Sequence, residues 1–217
     1  MNNKNIAIVV LAIVALVLGG FLYKTLDTMK ANQHQNTSNM REMALKNLKE
    51  RRSVRKYKPI QIKDEDLNAI LEAGTYAPSG KNRQHSLIVV VQDQNTIMKL
   101  AKLNASIMGD NGDDFQNPFY GAPTLLIVFA DSNVGTYIED GSLVMGNLLN
   151  AAHAVGLGSC WIHRAKEVFK TEEGKEYMKL WGIPENYVGI GNCILGYPDG
   201  EYPQAKPRKE DYIRRVD

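Results

Sequence analysis

The distribution of apolar and polar positions divides the chain into three parts. Residues 6–23 form an apolar run of 18 residues without a charge. At about 1.5 Å rise per residue, a helix of this length spans about 27 Å, close to the thickness of the hydrocarbon layer of a bilayer. We therefore predict an uncleaved transmembrane helix at 6–23, after a short flank at 1–5. A cleaved signal peptide is the alternative, although the run is long for one and no cleavage site follows it.

Residues 24–39 are polar and show no sustained period. This composition predicts a linker that holds the rest of the chain away from the membrane. Lys24 and Lys30 follow the apolar run, whereas only Lys4 and the amino terminus precede it. That balance favours a membrane-anchored protein whose globular domain lies on the cytoplasmic side, with the exported side as the alternative.

Residues 40–217 alternate between short apolar runs and amphipathic segments, as expected of one globular domain. The apolar runs predict three or four buried strands, and the amphipathic segments predict helices on both faces of the sheet. The fold class is therefore α+β. The predicted strands cover 87–91, 124–129, 158–162 and 188–195. The predicted helices cover 40–52, 96–103, 138–155 and 172–181, and a further helix begins at the acidic run 63–66 and stops at 76–78.

Composition excludes several classes of protein. The net charge is +2, which gives no indication of nucleic-acid binding. Cys160 and Cys193 lie in apolar, strand-like surroundings, so we interpret them as buried thiols rather than a disulfide. His153 lacks a second ligand at suitable spacing, and Cys160 and His163 lack a second pair, so no metal site is predicted.

A basic segment, Arg51-Arg52-Ser53-Val54-Arg55, places three guanidiniums and a hydroxyl in five positions where a helix ends. Such charges are costly to bury without an anion, and guanidinium forks match the oxygens of a phosphate. A solvated helix end, or a basic patch beside acidic lipids, is the alternative. A second basic cluster, Lys206-Pro207-Arg208-Lys209, would enclose the same phosphate if the two clusters converge.

Two further motifs lie between the basic clusters. The loop Pro78-Ser79-Gly80-Lys81-Asn82-Arg83-Gln84 directly precedes a buried strand, a position where sites are commonly built. Gly156-Leu157-Gly158-Ser159 precedes another strand and lacks the third glycine of a dinucleotide fingerprint. We expect these glycines to allow close approach of the backbone to something flat.

In this order, the basic segment, the loop, the Gly-Leu-Gly-Ser-Cys-Trp motif, Gly196-Tyr197-Pro198 and the second basic cluster resemble the FMN-dependent nitroreductase family. The resemblance extends from about Arg41 to the C-terminus. It implies a mixed central sheet wrapped by helices, in an interlocked homodimer with FMN at the subunit interface. One departure is visible, because the family often continues Asn-x-Gln with Pro-Trp, whereas Gln84 is followed here by His85-Ser86.

The resemblance also implies a role for individual residues. The phosphate, the ribityl chain and the ring edge would be bound by the basic segment, with the second basic cluster closing on the phosphate. The loop would come from the partner chain to the ring and ribityl, and the strand after the glycines would line the ring with backbone donors. The cofactor-binding residues are then Arg51, Arg52, Ser53, Arg55, Pro78, Ser79, Gly80, Asn82, Cys160, Trp161, Ile162, Lys206 and Arg208.

For a member of this family, the implied activity is NAD(P)H-dependent reduction of nitroaromatics, quinones or similar acceptors. A hydride would pass through N5 of the flavin, in a ping-pong sequence that uses no side-chain acid or base. Two alternatives remain open. One is an iodotyrosine-type reductive dehalogenase, whose carboxylate, phenol and ammonium ligands are not evident in the irregular, lid-like segment 105–120. The other is a non-catalytic, membrane-tethered flavin-binding protein.

Overall fold

The computed structural model describes residues 3–109 and 115–216, without the side chains of residues 3–15, 17 and 31. The chain divides into two units, 1–49 and 50–217. The first unit consists of helix α1 (Asn3–Glu50), which continues through the segment expected to be a linker. Several of its polar side chains form hydrogen bonds along the helix. The hydroxyls of Thr25, Thr28 and Thr37 donate to the carbonyls four residues before them, and the Gln35 amide donates to Asn39.

The predicted membrane anchor at 6–23, and the membrane localisation that depended on it, are wrong. Among the residues that the structure describes, no helix is long and apolar enough to cross a membrane. The side chains of residues 6–15 and 17 lie outside that description.

A four-stranded sheet forms the centre of the second unit. Its strands are β1 (Ser86–Val91), β2 (Thr124–Asp131), β3 (Gly158–Ile162) and β4 (Tyr187–Gly196), in the order β1-β2-β4-β3. All three pairings are antiparallel. A parallel bridge between Ser53 and Ser159 continues the sheet beyond β3. The α+β class and the four strands are confirmed, and parallel pairing enters at this bridge.

Helices cover both faces of the sheet, as predicted. Successive residues of β2 alternate between two cores, with Leu125, Ile127 and Phe129 in one and Leu126 and Val128 in the other. All five are fully buried. The helices are α2 (Asp64–Thr75), α3 (Gln94–Ser106), α4 (Tyr137–Ala154), α5 (Ala165–Val168) and α6 (Glu172–Leu180), with short 3-10 turns at Gly80–Asn82 and Glu210–Tyr212.

The ends of these helices follow simple local rules. Acidic residues occupy the first turn of α2, where they complement the helix dipole. Asp93 caps α3 by accepting a hydrogen bond from the backbone N–H of Thr96. Helix α4 ends at Ala154, two residues before Gly156, whose φ of +82° provides a left-handed turn. In the predicted lid segment, residues 110–114 lie outside the described part of the chain.

Candidate functional site

The basic segment lies beside the edge strand β3. The backbone N–H of Val54 donates to the carbonyl of Ser159 at 3.0 Å, next to the parallel bridge from Ser53. The Val54 side chain is buried, and a Cβ added to Gly158 would lie only 2.8 Å from it. The glycine therefore allows the basic segment to approach β3, and its close neighbour is an aliphatic side chain rather than a flat group.

A second set of contacts holds the other end of this segment. Buried Tyr57 donates its hydroxyl to the carbonyl of Val54 at 2.6 Å and forms an antiparallel bridge with Pro198. Lys58 donates its backbone N–H to Tyr197, and the Lys56 carbonyl accepts from the N–H of Asp199. The motif Gly196-Tyr197-Pro198 thus lies beside the basic segment in space, although more than 130 residues separate them in sequence.

Tyr202 connects the C-terminal tail to the start of the basic segment. Its hydroxyl accepts the backbone N–H of Arg52 at 3.0 Å and lies 3.1 Å from Nδ1 of His153, with the two rings stacked at a centroid distance of 5.4 Å. Burial lowers the pKa of His153, and the charges of Arg51 and Arg52 lower it further. His153 is thus hydrogen-bonded to Tyr202 and half-buried, and it lies beside the basic segment.

The side chains of the basic segment remain partly accessible while its backbone is fixed. Arg51, Arg52 and Ser53 are half-buried, and Arg55 is exposed with its guanidinium 5.9 Å from the ring centre of Tyr120. Of the ion pairs between described residues, none involves Arg51 or Arg55. A pinned backbone that presents guanidiniums and a hydroxyl in one place fits a phosphate group.

The loop before β1 is separate from the basic segment and has an unusual backbone conformation. Pro78 and Asn82 are exposed, and Ser79 and Gly80 are half-buried. Three of its residues with side chains have left-handed backbones, namely Lys81, Asn82 and Gln84, with φ values of +56°, +54° and +50°. The N–H of Gly80 donates to both carboxylate oxygens of Asp140, at 3.0 and 3.1 Å.

Strand β3 offers its backbone rather than its side chains, which is compatible with the expected role as a source of backbone donors. Cys160 and Ile162 point into one core and are 1% and 8% exposed, so their side chains are not available to line a ring. Trp161 faces the other side of the sheet and is half-buried. The carbonyl of the next residue, His163, accepts the buried amides of Asn104 and Asn192 at 2.9 and 3.3 Å.

The remaining predicted residues, Lys206 and Arg208, are exposed and lie four and six residues beyond Tyr202 in an extended tail. No contact between described residues joins either of them to the basic segment. Tyr202 nevertheless fixes the origin of the tail there. Because an extended chain covers about 3.3 Å per residue, both side chains are within reach of the basic segment.

The two predicted halves of the site lie at opposite corners of the sheet. The loop precedes Ser86 in β1, which pairs with Ala130, whereas Ser159 pairs through Leu195 with Thr124 at the other end of β2. Six residues along a strand correspond to about 20 Å, and three strand spacings from β1 to β3 to about 14 Å. One chain therefore does not bring the loop and the basic segment together.

Comparisons with known proteins give a consistent result. The model of the Nitroreductase family matches residues 48–197. The chain belongs to the nitroreductase family. A crystal structure of a nitroreductase with bound FMN from Bacteroides fragilis has a TM-score of 0.75 and 31% identity, covering 80% of this chain and 98% of that one.

Two relatives of the chain have informative names. A protein of Archaeoglobus fulgidus, whose name includes the words NAD(P)H nitroreductase, is 34% identical over 74% of this chain and 88% of its own length. The NADPH-flavin oxidoreductase of Vibrio harveyi is 27% identical over 75% of this chain and 68% of its own length.

Three residues that shape the candidate site of the chain were not identified from the sequence. Tyr202 lies in a polar tail without periodicity, and Asp140 resembles an ordinary acidic residue in the first turn of a helix. Asn104 occupies a buried position of α3, and its polar side chain was the only feature in the sequence that distinguished it from its apolar neighbours. In the described part of the chain, no cluster of His, Cys, Asp or Glu could hold a metal ion.

His153 predicts a specific pH dependence. Its folded-state pKa is lowered, so it stays neutral while the unfolded chain, with a histidine pKa near 6.5, takes up a proton. The contribution to stability is present above about pH 6.5 and is lost as the pH falls through the folded pKa, at no more than about 1.4 kcal/mol per pH unit. Thermal unfolding between pH 8 and 5.5 should show a shallower decline in Tm for His153→Gln than for the wild type. The exposed His34→Gln serves as the control, and an unchanged slope in His153→Gln would contradict the assignment.

Proposed function

We propose that this chain is an FMN-dependent oxidoreductase that uses NADH or NADPH to reduce nitroaromatics, quinones or similar electron-poor acceptors. The observation that carries the proposal is the hydrogen bond from Val54 N–H to Ser159. It places the basic segment against the edge of the sheet, where its donors fit a phosphate. The names of the relatives supply the cofactor and the electron donor.

Bound FMN supplies the redox chemistry, because it accepts a hydride from a nicotinamide and delivers it to an acceptor. The residues of the chain bind and orient. Arg51, Arg52 and Ser53 hold the phosphate and ribityl, and Lys206 and Arg208 close on the phosphate from the tail. Arg55 provides a positive charge at the ring edge, where it favours the negative charge that reduction adds.

The site is shared between two copies of the chain. The basic segment and the loop are both expected to contact the ring and the ribityl, yet in one chain they lie at opposite corners of the sheet. A homodimer that sets the loop of one copy against the basic segment of the other removes this conflict. Pro78, Ser79, Gly80 and Asn82 then act on the flavin of the partner.

The activity is tested by anaerobic spectroscopy of the full-length protein loaded with FMN. Addition of NADH or NADPH should bleach the visible flavin band, and a nitroaromatic or quinone should restore it. The nucleotide that bleaches the band faster identifies the preferred donor. A flavin that neither nucleotide bleaches would contradict the reductase, and a protein that retains no flavin would also contradict the site.

Substitution of the basic residues tests the phosphate assignment. Charge-assisted hydrogen bonds contribute about 1.5–3 kcal/mol, so Arg51→Gln and Arg208→Gln should each weaken FMN binding by about 10- to 100-fold. Quenching of free FMN fluorescence measures the Kd directly. Arg215→Gln, an exposed arginine of the same tail, is the matched control and should bind as the wild type does. Full flavin content in both test variants would show that the phosphate lies elsewhere.

A further inference from the structure

We propose that Asp140 and His85 are positioning residues that hold the loop 79–84 in the shape in which it contacts the flavin of the partner chain. Neither residue is expected to touch the cofactor, so both act through the loop. This inference rests on the proposed function, and it adds a pair of residues for which the resemblance gave no role. Its basis is a buried network that joins helix α4 to the loop.

The Asp140 carboxylate is the centre of that network. It lies in the first turn of α4, and its side chain is 5% exposed. One oxygen is 2.7 Å from Nε2 of His85, whose side chain is 7% exposed, and 2.8 Å from the hydroxyl of Thr136. Both oxygens accept the N–H of Gly80. Gly80 of the loop, His85 directly before β1 and Thr136 directly before α4 therefore all contact this one carboxylate.

The loop depends on outside support because its own conformation is costly. Residues with a Cβ avoid left-handed backbones, and three of the four residues from Lys81 to Gln84 have one. The internal bonds are few and lie at the surface. The N–H of Gln84 donates to the Ser79 hydroxyl at 3.0 Å, and the Gln84 amide donates to Asn82 at 3.1 Å. Asp140 provides the buried attachment.

Steric fit makes this attachment specific. A Cβ on Gly80 would collide with the hydroxyl of Thr136, so only glycine lets the loop backbone reach the carboxylate. Loop shape and carboxylate position are thereby fixed together. The predicted contact residues Ser79 and Asn82 flank this point of attachment.

The electrostatics favour a permanent negative charge at Asp140. Burial raises its pKa, but hydrogen bonds from His85, Thr136 and Gly80 outweigh burial and hold it below the usual range. Hydrogen bonds from Asn133 and Asn186 are the main causes that lower the pKa of Asp131 in β2, and His85 lowers it further, so a second acidic group influences the surroundings of the imidazole. An amide at position 140 would present an NH₂ group to these donors and would lose at least one of the bonds.

The test compares Asp140→Asn and His85→Gln with the wild type in full-length protein. If the pair positions the loop, both variants bind FMN at least 10-fold more weakly, and Asp140→Asn has the larger effect because it alters all three partners. The bound flavin spectrum should shift as well. His85→Gln leaves two partners of Asp140 in place, so it remains informative if Asp140→Asn folds poorly.

The matched control is Asp93→Asn, which weakens the cap of α3 away from the loop. It should lower Tm without changing the FMN Kd. A double variant, Asp140→Asn with Ser79→Ala, should bind FMN about as weakly as Asp140→Asn alone, because both substitutions release the same loop. Strictly multiplicative losses would indicate independent effects.

Hydrogen exchange of the apoprotein separates this inference from the proposed function. Both test variants should exchange the amides of Gly80 and Gln84 at least 10-fold faster than the wild type does, whether or not FMN binds. A wild-type protein that binds no FMN would overturn the proposed function and, with it, the role in flavin contact. Variants with wild-type FMN affinity and spectrum but lowered Tm would overturn the positioning role alone.

Discussion

The hydrogen bond between the Val54 N–H and the Ser159 carbonyl is the constraint on which the site depends. Three guanidiniums within five residues repel one another and would favour a mobile, solvated chain. Here, the backbone is attached to the edge strand β3 on one side and to the segment after β4 on the other. The buried Val54 side chain against Gly158 secures the attachment, so that the charges are presented in a fixed place. In the proposed site, a cofactor phosphate would bind without the cost of ordering the segment.

The second half of the proposed site is also held by a fixed backbone. The loop before β1 also presents polar groups from a fixed backbone, and it is fixed by a buried carboxylate rather than by strand pairing. Its three left-handed residues store strain that the attachment offsets. Both halves lie at corners of one antiparallel sheet, which provides rigidity over the distance between them. In the proposed site, two copies of the chain bring the halves together.

The strands were predictable because their signal is local and strong. Runs such as Leu125–Phe129 are apolar without interruption, and burial on both faces of the sheet explains that pattern. The basic segment was predictable for a similar reason, since the cost of burying charge does not depend on the fold. Strand alternation sends the side chains of Cys160 and Ile162 into the core, as expected for the Cys160 thiol, and the role of their backbone beside the ring stays a prediction.

Other features could not be predicted from local patterns. The helix through 24–39 has no hydrophobic period, and its threonine hydroxyls donate to backbone carbonyls four residues before them. The expected anchor was overturned because no helix among the described residues is long and apolar enough to cross a membrane. Tyr202 meets Arg52 across 150 residues of sequence, and His85 meets Asp140 across 55, so only the folded chain shows what they do.

Mixed dimers give the most direct test of the shared site. One copy carries Arg51→Gln with Ser53→Ala, and the other carries Ser79→Ala with Asn82→Ala, so each variant alone has two defective sites. A heterodimer of the two has one site with all four substitutions and one intact site. The account predicts that co-expressed, tag-selected heterodimers retain one tightly bound FMN per dimer, with the wild-type Kd, while both parent homodimers lose theirs. Heterodimers that bind flavin no better than their parents would contradict a site built from two chains.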